Sequence, residues 1–243
     1  MPTTFILLNL LVIAAQTLCF GQQYKGSRTN SLQSVRKVYP WHKNITATVF
    51  WIGEAPAGAN KTPNYASSWD VNWTKSYGGY DNPSPRERIG YRPRAFTPQQ
   101  NPFYVALPYN DVKGGRLHKP EASLVIPWFH ALNPRSGHSV CKGKWLQILH
   151  DGKSCYAQWE DCGPWTTTDY QYVFLGKRPK NRKNGGAGID VSPAIRDYLG
   201  LKSGEKCHWR FVPYYRIPRG PWSEYGRNNP FRNPSMNFER RVK

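Results

Sequence analysis

Two aspartates in the second half of the chain stand where acid–base chemistry would be possible. Asp161 lies in Trp159-Glu160-Asp161-Cys162-Gly163-Pro164-Trp165, and Asp190 lies in Gly188-Ile189-Asp190-Val191-Ser192-Pro193. Each lies at a predicted strand end beside turn-forming residues, so a rigid element would present its carboxyl group to a groove. Carboxyl groups held in this way can transfer protons during glycosidic bond cleavage. Such aspartates can also serve only to bind turn amides, and both interpretations stay open.

The elements around the two aspartates are predicted to be short strands separated by turns. Asp151-Gly152 favours the type I′ turn of a hairpin. Ser192 and Pro193 predict the start of a short helix over residues 194–199, which Gly200 would end. The predicted strands are residues 48–52, 103–107, 124–126, 145–150, 153–159 and 207–212. Many short strands with one or two short helices predict a mainly β fold, and the strand after the helix favours a small closed barrel.

The composition predicts five segments along the chain. A signal peptide is predicted at 1–21 and a polar linker at 22–46. Residues 47–99 would add a strand and an aromatic-rich loop, with the long structured loop running from 53 to 102. The barrel would occupy 100–213, and a basic tail rich in proline and aromatic residues would occupy 214–243. Anchoring of this tail on the barrel is favoured over a mobile tail.

An exported location is predicted from the apolar run at residues 5–20, which ends just before Gly21. We therefore expect a secreted protein, extracellular or periplasmic. A lipid anchor on Cys19 is disfavoured because the bulky Leu18 stands where a small residue is expected. No other segment is expected to span a membrane.

Four cysteines would remain after removal of the signal peptide. An even number in an exported chain predicts two disulfides. We favour Cys141 with Cys155 and Cys162 with Cys207, and the other two connectivities remain open. No metal or other cofactor is expected, because neither the cysteines nor the histidines have the spacing of a ligand motif.

The formal net charge of +19 predicts an acidic partner. The candidates for an exported protein are acidic polysaccharides, anionic wall polymers and phospholipid head groups, with nucleic acid less favoured. The densest basic cluster is at residues 177–183, and a second basic zone runs from 216 to 243. Either zone can also be a solvated loop without a partner. No feature indicates a dimer, so a monomer is expected.

An ordered series of motifs resembles the double-psi β-barrel of rare lipoprotein A, which also occurs in expansins, barwin and kiwellin. The series is Asp-x-Gly-Pro at 161–164, Ile-Asp-Val-Ser at 189–192, Ala194, and Leu-Gly at 199–200. It covers roughly residues 100 to 213, and residues 105–108 resemble the early barrel strand. The resemblance implies a six-stranded barrel in a secreted protein that binds or remodels wall polysaccharide, including peptidoglycan.

The resemblance also implies roles for particular residues. Asp161 matches the aspartate tied to lytic transglycosylation in relatives of rare lipoprotein A, and Asp190 matches the acid of expansin-like glycan-cleaving barrels. Trp128 and Trp165 offer ring faces that can stack on sugars, although burial in the core is an equal alternative for both.

The chain departs from these families at two histidines of the site. Tyr104 stands at the histidine position of rare lipoprotein A, and Gly188 replaces the histidine of the expansin His-Phe-Asp motif. Tyr104, Asp111 and His138 are the candidate replacements, and Tyr104 and Asp111 are expected to bind substrate. Catalysis thus stays open while glycan binding is favoured.

Three hypotheses remain. The favoured one is a polysaccharide-directed protein, catalytic or not; the second is a non-catalytic binding protein of the barwin and kiwellin kind. The third is a basic protein that binds anionic polymers by charge.

Overall fold

The computed structural model describes residues 38–58, 60–132 and 134–236. The predicted signal peptide and residues 22–37 of the predicted linker lie outside them. The described residues are mainly β, with strands β1 (His42–Val49), β2 (Arg88–Ile89), β3 (Arg92–Pro93), β4 (Tyr104–Leu107), β5 (Val112–Lys113), β6 (Leu117–His118), β7 (Trp145–His150), β8 (Lys153–Cys162), β9 (Ile189–Val191) and β10 (Lys206–Phe211). Four short helices accompany them: α1 (Trp73–Tyr77), α2 (Ala122–Val125), α3 (Tyr170–Leu175) and α4 (Pro193–Leu199). None of the helices in this described part is long and apolar enough to cross a membrane.

Six of these strands form a closed barrel, which confirms the predicted fold class. Their order around the barrel is β1-β10-β7-β8-β4-β9. The pairs β4–β8 and β1–β9 are parallel, and the other four pairs are antiparallel. The remaining strands form two small ribbons, β2–β3 and β5–β6.

Local sequence signals set the hairpin and the last helix as predicted. Asp151 and Gly152 take φ values of 44° and 77°, which fit a type I′ turn between β7 and β8. The Ser192 side chain accepts the Ile195 N–H at the start of α4, and Gly200 ends that helix at a φ of 71°. β8 continues to Cys162, beyond the predicted end at 159, so Asp161 lies within the strand.

Two local predictions were wrong. Residues 124–126 do not form a strand; they belong mostly to α2, and Leu124 is 85% exposed. A short apolar run cannot by itself distinguish strand from helix. The first strand begins at His42, so residues 42–46 of the predicted linker form part of the barrel wall.

The barrel strands bury opposite faces in two separate clusters. Val105 and Leu107 of β4 belong to the main core inside the barrel. Tyr104 and Ala106 point the other way, because side chains alternate along a strand. Residues from the 53–102 loop and from the segment just before it cover this outer face with an aromatic cluster: Phe50, Ile52, Trp73, Tyr77 and Phe96.

A buried ion-pair network fixes the loop to the barrel. The Arg88 guanidinium contacts Asp81 at 2.6 Å and Asp197 of α4 at 2.9 Å. The hydroxyl of Tyr104 donates to the other Asp81 oxygen at 2.7 Å. The loop is therefore structured, as its aromatic content predicted, and it covers the outer face of β4.

The tail packs on the barrel as far as it is described, which confirms the anchoring prediction for residues 214–236. Trp222 is 4% exposed, and its ring lies 5.0 Å from Tyr156 and 6.0 Å from Phe103. Asn228 accepts the Asn101 N–H at 2.9 Å. These contacts bring the tail to the strand that carries Asp161.

The structure has no disulfide among Cys141, Cys155, Cys162 and Cys207, so it does not show the favoured pairing. Cys155 is the register partner of Ile148 in the hairpin. Cys141 precedes the first residue of β7, so the two cysteines lie roughly 13 Å apart along the strand direction. Cys207 lies near the hairpin turn and Cys162 at the far end of β8, roughly 25 Å away. Both separations exceed the span of a disulfide.

Candidate functional site

Asp161 and Asp190 flank the same residue of β4. Ala106 is the register partner of Asp161 in β8 and of Asp190 in β9. Side chains directly opposite each other in a ladder point to the same face of the sheet. Ala106 faces outward, so both carboxyl groups lie on the outer face of the barrel. Their Cα atoms are two strands apart, roughly 10 Å.

Asp161 is held firmly by the loop that covers the barrel. The backbone N–H of Ser68 donates to its Oδ1 at 2.7 Å, and the side chain is part of a residue only 8% exposed. Burial raises the pKa of Asp161 to about 6, although hydrogen bonds from Ser68 and Cys162 oppose the rise. Trp159 donates its indole N–H to the Asp161 carbonyl at 2.7 Å, which fixes the backbone here.

Asp190 is a more exposed residue than Asp161. Its residue is partly exposed, and the Thr48 hydroxyl of β1 donates to Oδ1. Burial raises the pKa of Asp190 to about 7; the Thr48 hydrogen bond opposes the rise, while the charges of Asp161 and Glu54 add to it. Its Oδ2 faces Gly163, where an added Cβ would lie 3.4 Å away. Oδ2 therefore lies close to the backbone of Gly163.

Glu160 is a third acidic group, which the sequence did not single out. The register passes from Trp159 opposite Val105 to Asp161 opposite Ala106, so Glu160 is the extra residue of a bulge in β8. It is 2% exposed, and its Oε1 accepts from Asn228 of the tail at 3.1 Å. Its Oε2 has no hydrogen-bond partner within the described part of the chain. Burial raises the pKa of Glu160 to about 7, and the charge of Lys142 opposes this.

Trp165 is the one predicted sugar-stacking residue that lies at the surface of the site. It follows Gly163 and Pro164 directly after β8, and it is 38% exposed. The ammonium of Lys183 lies 4.2 Å from the centre of its ring. This cation–π contact joins the site to the basic segment at 177–183.

The other three predicted binding residues are committed to the protein's own packing. Trp128 is 6% exposed and donates its indole N–H to the Val140 carbonyl at 2.7 Å. Tyr104 is 1% exposed beneath the loop. Asp111 is fully buried, accepts the Val140 N–H at 2.8 Å and contacts His118 at 3.3 Å. Segments distant in sequence bury these three side chains, and for Trp128 this is the core alternative that the sequence left open.

No group of three or more His, Cys, Asp or Glu side chains within the described ranges is arranged to hold a metal ion. Two carboxyl groups with raised pKa values flank Ala106, and the exposed Trp165 follows the end of β8. Comparison of the chain with protein-family models, curated proteins and solved structures gave no match.

Proposed function

We propose that this protein binds a polysaccharide at the surface beside Asp190, next to the loop that covers β4, and cleaves a glycosidic bond, with Asp190 as the general acid. The observation that carries the proposal is the placement of Asp161 and Asp190 on either side of Ala106. Two carboxyl groups flanking one surface are the chemistry that glycoside cleavage requires. The order of motifs that resembles rare lipoprotein A and expansins supports the same substrate class.

The first step is proton donation from Asp190. Thr48 occupies Oδ1, so the transferable proton resides on Oδ2 beside Gly163. This proton passes to the glycosidic oxygen as the bond to the anomeric carbon breaks, and positive charge develops on the sugar. The Asp190 carboxylate left behind then accepts a proton from the attacking hydroxyl, which is water or a hydroxyl of the same sugar.

Asp161 contributes charge rather than a proton in this scheme. It is more buried than Asp190, and with a pKa of about 6 it ionises first as the pH rises. A carboxylate there stabilises the positive charge on the sugar.

The proposal includes the setting of the reaction. We infer a double-psi barrel, since the closed six-stranded barrel carries the motif series in matching order. We also infer export to the cell exterior or periplasm, on the strength of the apolar run at 5–20. Wall polysaccharide such as peptidoglycan is the corresponding partner.

A non-catalytic binding protein is the second candidate. It is favoured by the low exposure of Asp161, 8%, and by the tyrosine at position 104 where rare lipoprotein A carries a histidine. In that case the carboxyl groups would contact sugar hydroxyls without transferring protons, and Trp165 would stack on a ring.

The test is incubation of the protein with insoluble peptidoglycan, cellulose and chitin, with soluble fragments read by mass spectrometry. Wild type, Asp190→Asn and Asp161→Asn are compared with Asp151→Asn, a matched control at the exposed hairpin turn where asparagine fits the positive φ. We expect fragments from wild type and Asp151→Asn, and at least a hundredfold fewer from Asp190→Asn. Binding of all four proteins with no fragments from any polymer would support the non-catalytic candidate instead.

A further inference from the structure

A basic cleft lies on the same face of the barrel as Asp190. It has a volume of about 350 Å³, within the range of small-ligand sites, and β1, β10 and the segment at 178–186 line it. Its cations are Arg178, Arg182 and Lys206, and no carboxylate is among the lining residues. The cleft therefore has the size and the charge for a small anionic group.

The alternation of side chains along β1 places this cleft beside the carboxyl site. Ile45 and Ala47 point into the barrel core, so Thr46 and Thr48 point outward. Thr48 is the register partner of Asp190, and its hydroxyl contacts that carboxyl group. Thr46 is the register partner of Lys206, whose ammonium donates to its hydroxyl at 2.5 Å. One two-residue step of β1, roughly 7 Å, thus separates the two sites.

The cations of the cleft are not neutralised by the protein. Arg178 donates one nitrogen to the carbonyl oxygens of Lys43 and Asn44, which holds its guanidinium at the cleft without pairing its charge. Arg182 is exposed and has no ion pair or side-chain hydrogen bond to the described residues. The nearby Asp169 is buried and accepts the Lys180 N–H at 2.7 Å, and Glu205 accepts the Lys202 N–H at 2.8 Å. Neither carboxylate is among the residues that line the cleft.

We propose that this cleft, formed by residues 44–46, 178–186 and 206, is a subsite for a carboxylate group on the glycan that is bound beside Asp190. Guanidinium groups bind carboxylates with paired hydrogen bonds, and an ammonium adds a third donor. The substrate is then an acidic polysaccharide rather than a neutral one. This inference rests on the proposed function, because it assigns the polymer that the carboxyl site acts on.

The test measures the affinity of the protein for soluble polygalacturonate, by affinity electrophoresis or calorimetry. The neutral comparison ligand is the same polymer after reduction of its carboxyl groups. Both are measured at 0.15 M salt, where the Debye length of about 8 Å screens the long-range field of the protein. Wild type is compared with Arg182→Gln/Lys206→Gln. The control is Lys75→Gln/Arg86→Gln, which loses the same charge at exposed positions outside the cleft.

We expect the cleft variant to bind polygalacturonate at least tenfold more weakly than wild type, and the control variant to bind it within twofold of wild type. The reduced polymer should bind wild type and cleft variant alike. An equal loss in both variants, or no loss in the cleft variant, would overturn the assignment.

Asp190→Asn separates this inference from the proposed function. It should retain wild-type affinity for polygalacturonate, since it leaves the cleft intact. Retained binding with no cleavage of any polymer by wild type would refute only the catalytic proposal. The subsite alone would be refuted by a different result. In that case wild type would cleave neutral and acidic polymers equally well, and the cleft variant would cleave the neutral polymers at the wild-type rate.

Discussion

Replacement of Glu160 by glutamine should change how the stability of the protein depends on pH. Glu160 is 2% exposed, with one oxygen on Asn228 and the other unpartnered within the described structure. Glutamine keeps the shape and an acceptor for Asn228, but it removes the ionisable group. The substitution therefore isolates the cost of ionising a carboxyl group in this bulge.

The size of the effect follows from the pKa of Glu160. Burial raises that pKa from 4.5 to about 7 in the folded protein, whereas the unfolded chain ionises near 4.5. Between these values unfolding releases a proton, so the free energy of unfolding falls as the pH rises and levels off above about 7. A shift of this size corresponds to about 3 kcal/mol in total at 1.36 kcal/mol per pH unit. Below pH 4.5 both states are protonated, and the contribution is constant.

The assay is urea denaturation of wild type, Glu160→Gln and the exposed control Glu87→Gln at intervals from pH 4.5 to 8. Asp161 and Asp190 add their own pH dependence to all three proteins, so the difference between curves reports Glu160 together with its interaction with the neighbouring Asp161. We expect wild type and Glu87→Gln to lose about 3 kcal/mol more than Glu160→Gln over this range. Parallel curves for wild type and Glu160→Gln would refute the buried, proton-binding state assigned to Glu160.

Three further outcomes are expected. The cleavage rate should fall as the pH rises through about 7, because Asp190 loses the proton that it donates; a rate that still climbs above pH 8 would exclude this acid. Arg88→Met should lower the free energy of unfolding by about 3 to 5 kcal/mol, since it leaves Asp81 buried without its cation, and a loss below 1 kcal/mol in urea denaturation would contradict the network. Gly188→Ala should lower the free energy of unfolding by about 1 to 3 kcal/mol, because the new Cβ would lie 2.6 Å from Pro179 and 2.9 Å from Ile45. An unchanged melting temperature would contradict this, because it would mean that the neighbouring side chains move aside without loss of stability.

The sequence predicted the elements whose signals are local. The Asp151-Gly152 turn and the capped helix α4 depend on residues within a few positions of each other, and both formed as expected. The closed barrel followed from the number of short strands and from the ordered motifs.

The environment of each site residue depends on contacts between distant segments, which local patterns do not contain. Tyr104 was predicted to bind substrate, yet Asp81 and Ile52 from the covering loop take both hydrogen-bonding positions of its hydroxyl. Glu160 was overlooked because alternation along β8 assumes a regular register, and the bulge opposite Val105 and Ala106 breaks it. A bulge next to a strand-borne aspartate leaves little trace in a single sequence.

The most direct measurement of the central claim is the rate of fragment release from the polymer that wild type cleaves best, compared with the rate for Asp190→Asn at equal bound protein. With Asp190 as general acid, the variant should bind normally and release fragments at least a hundredfold more slowly. Equal rates for the two proteins would contradict the assignment of Asp190 as the acid.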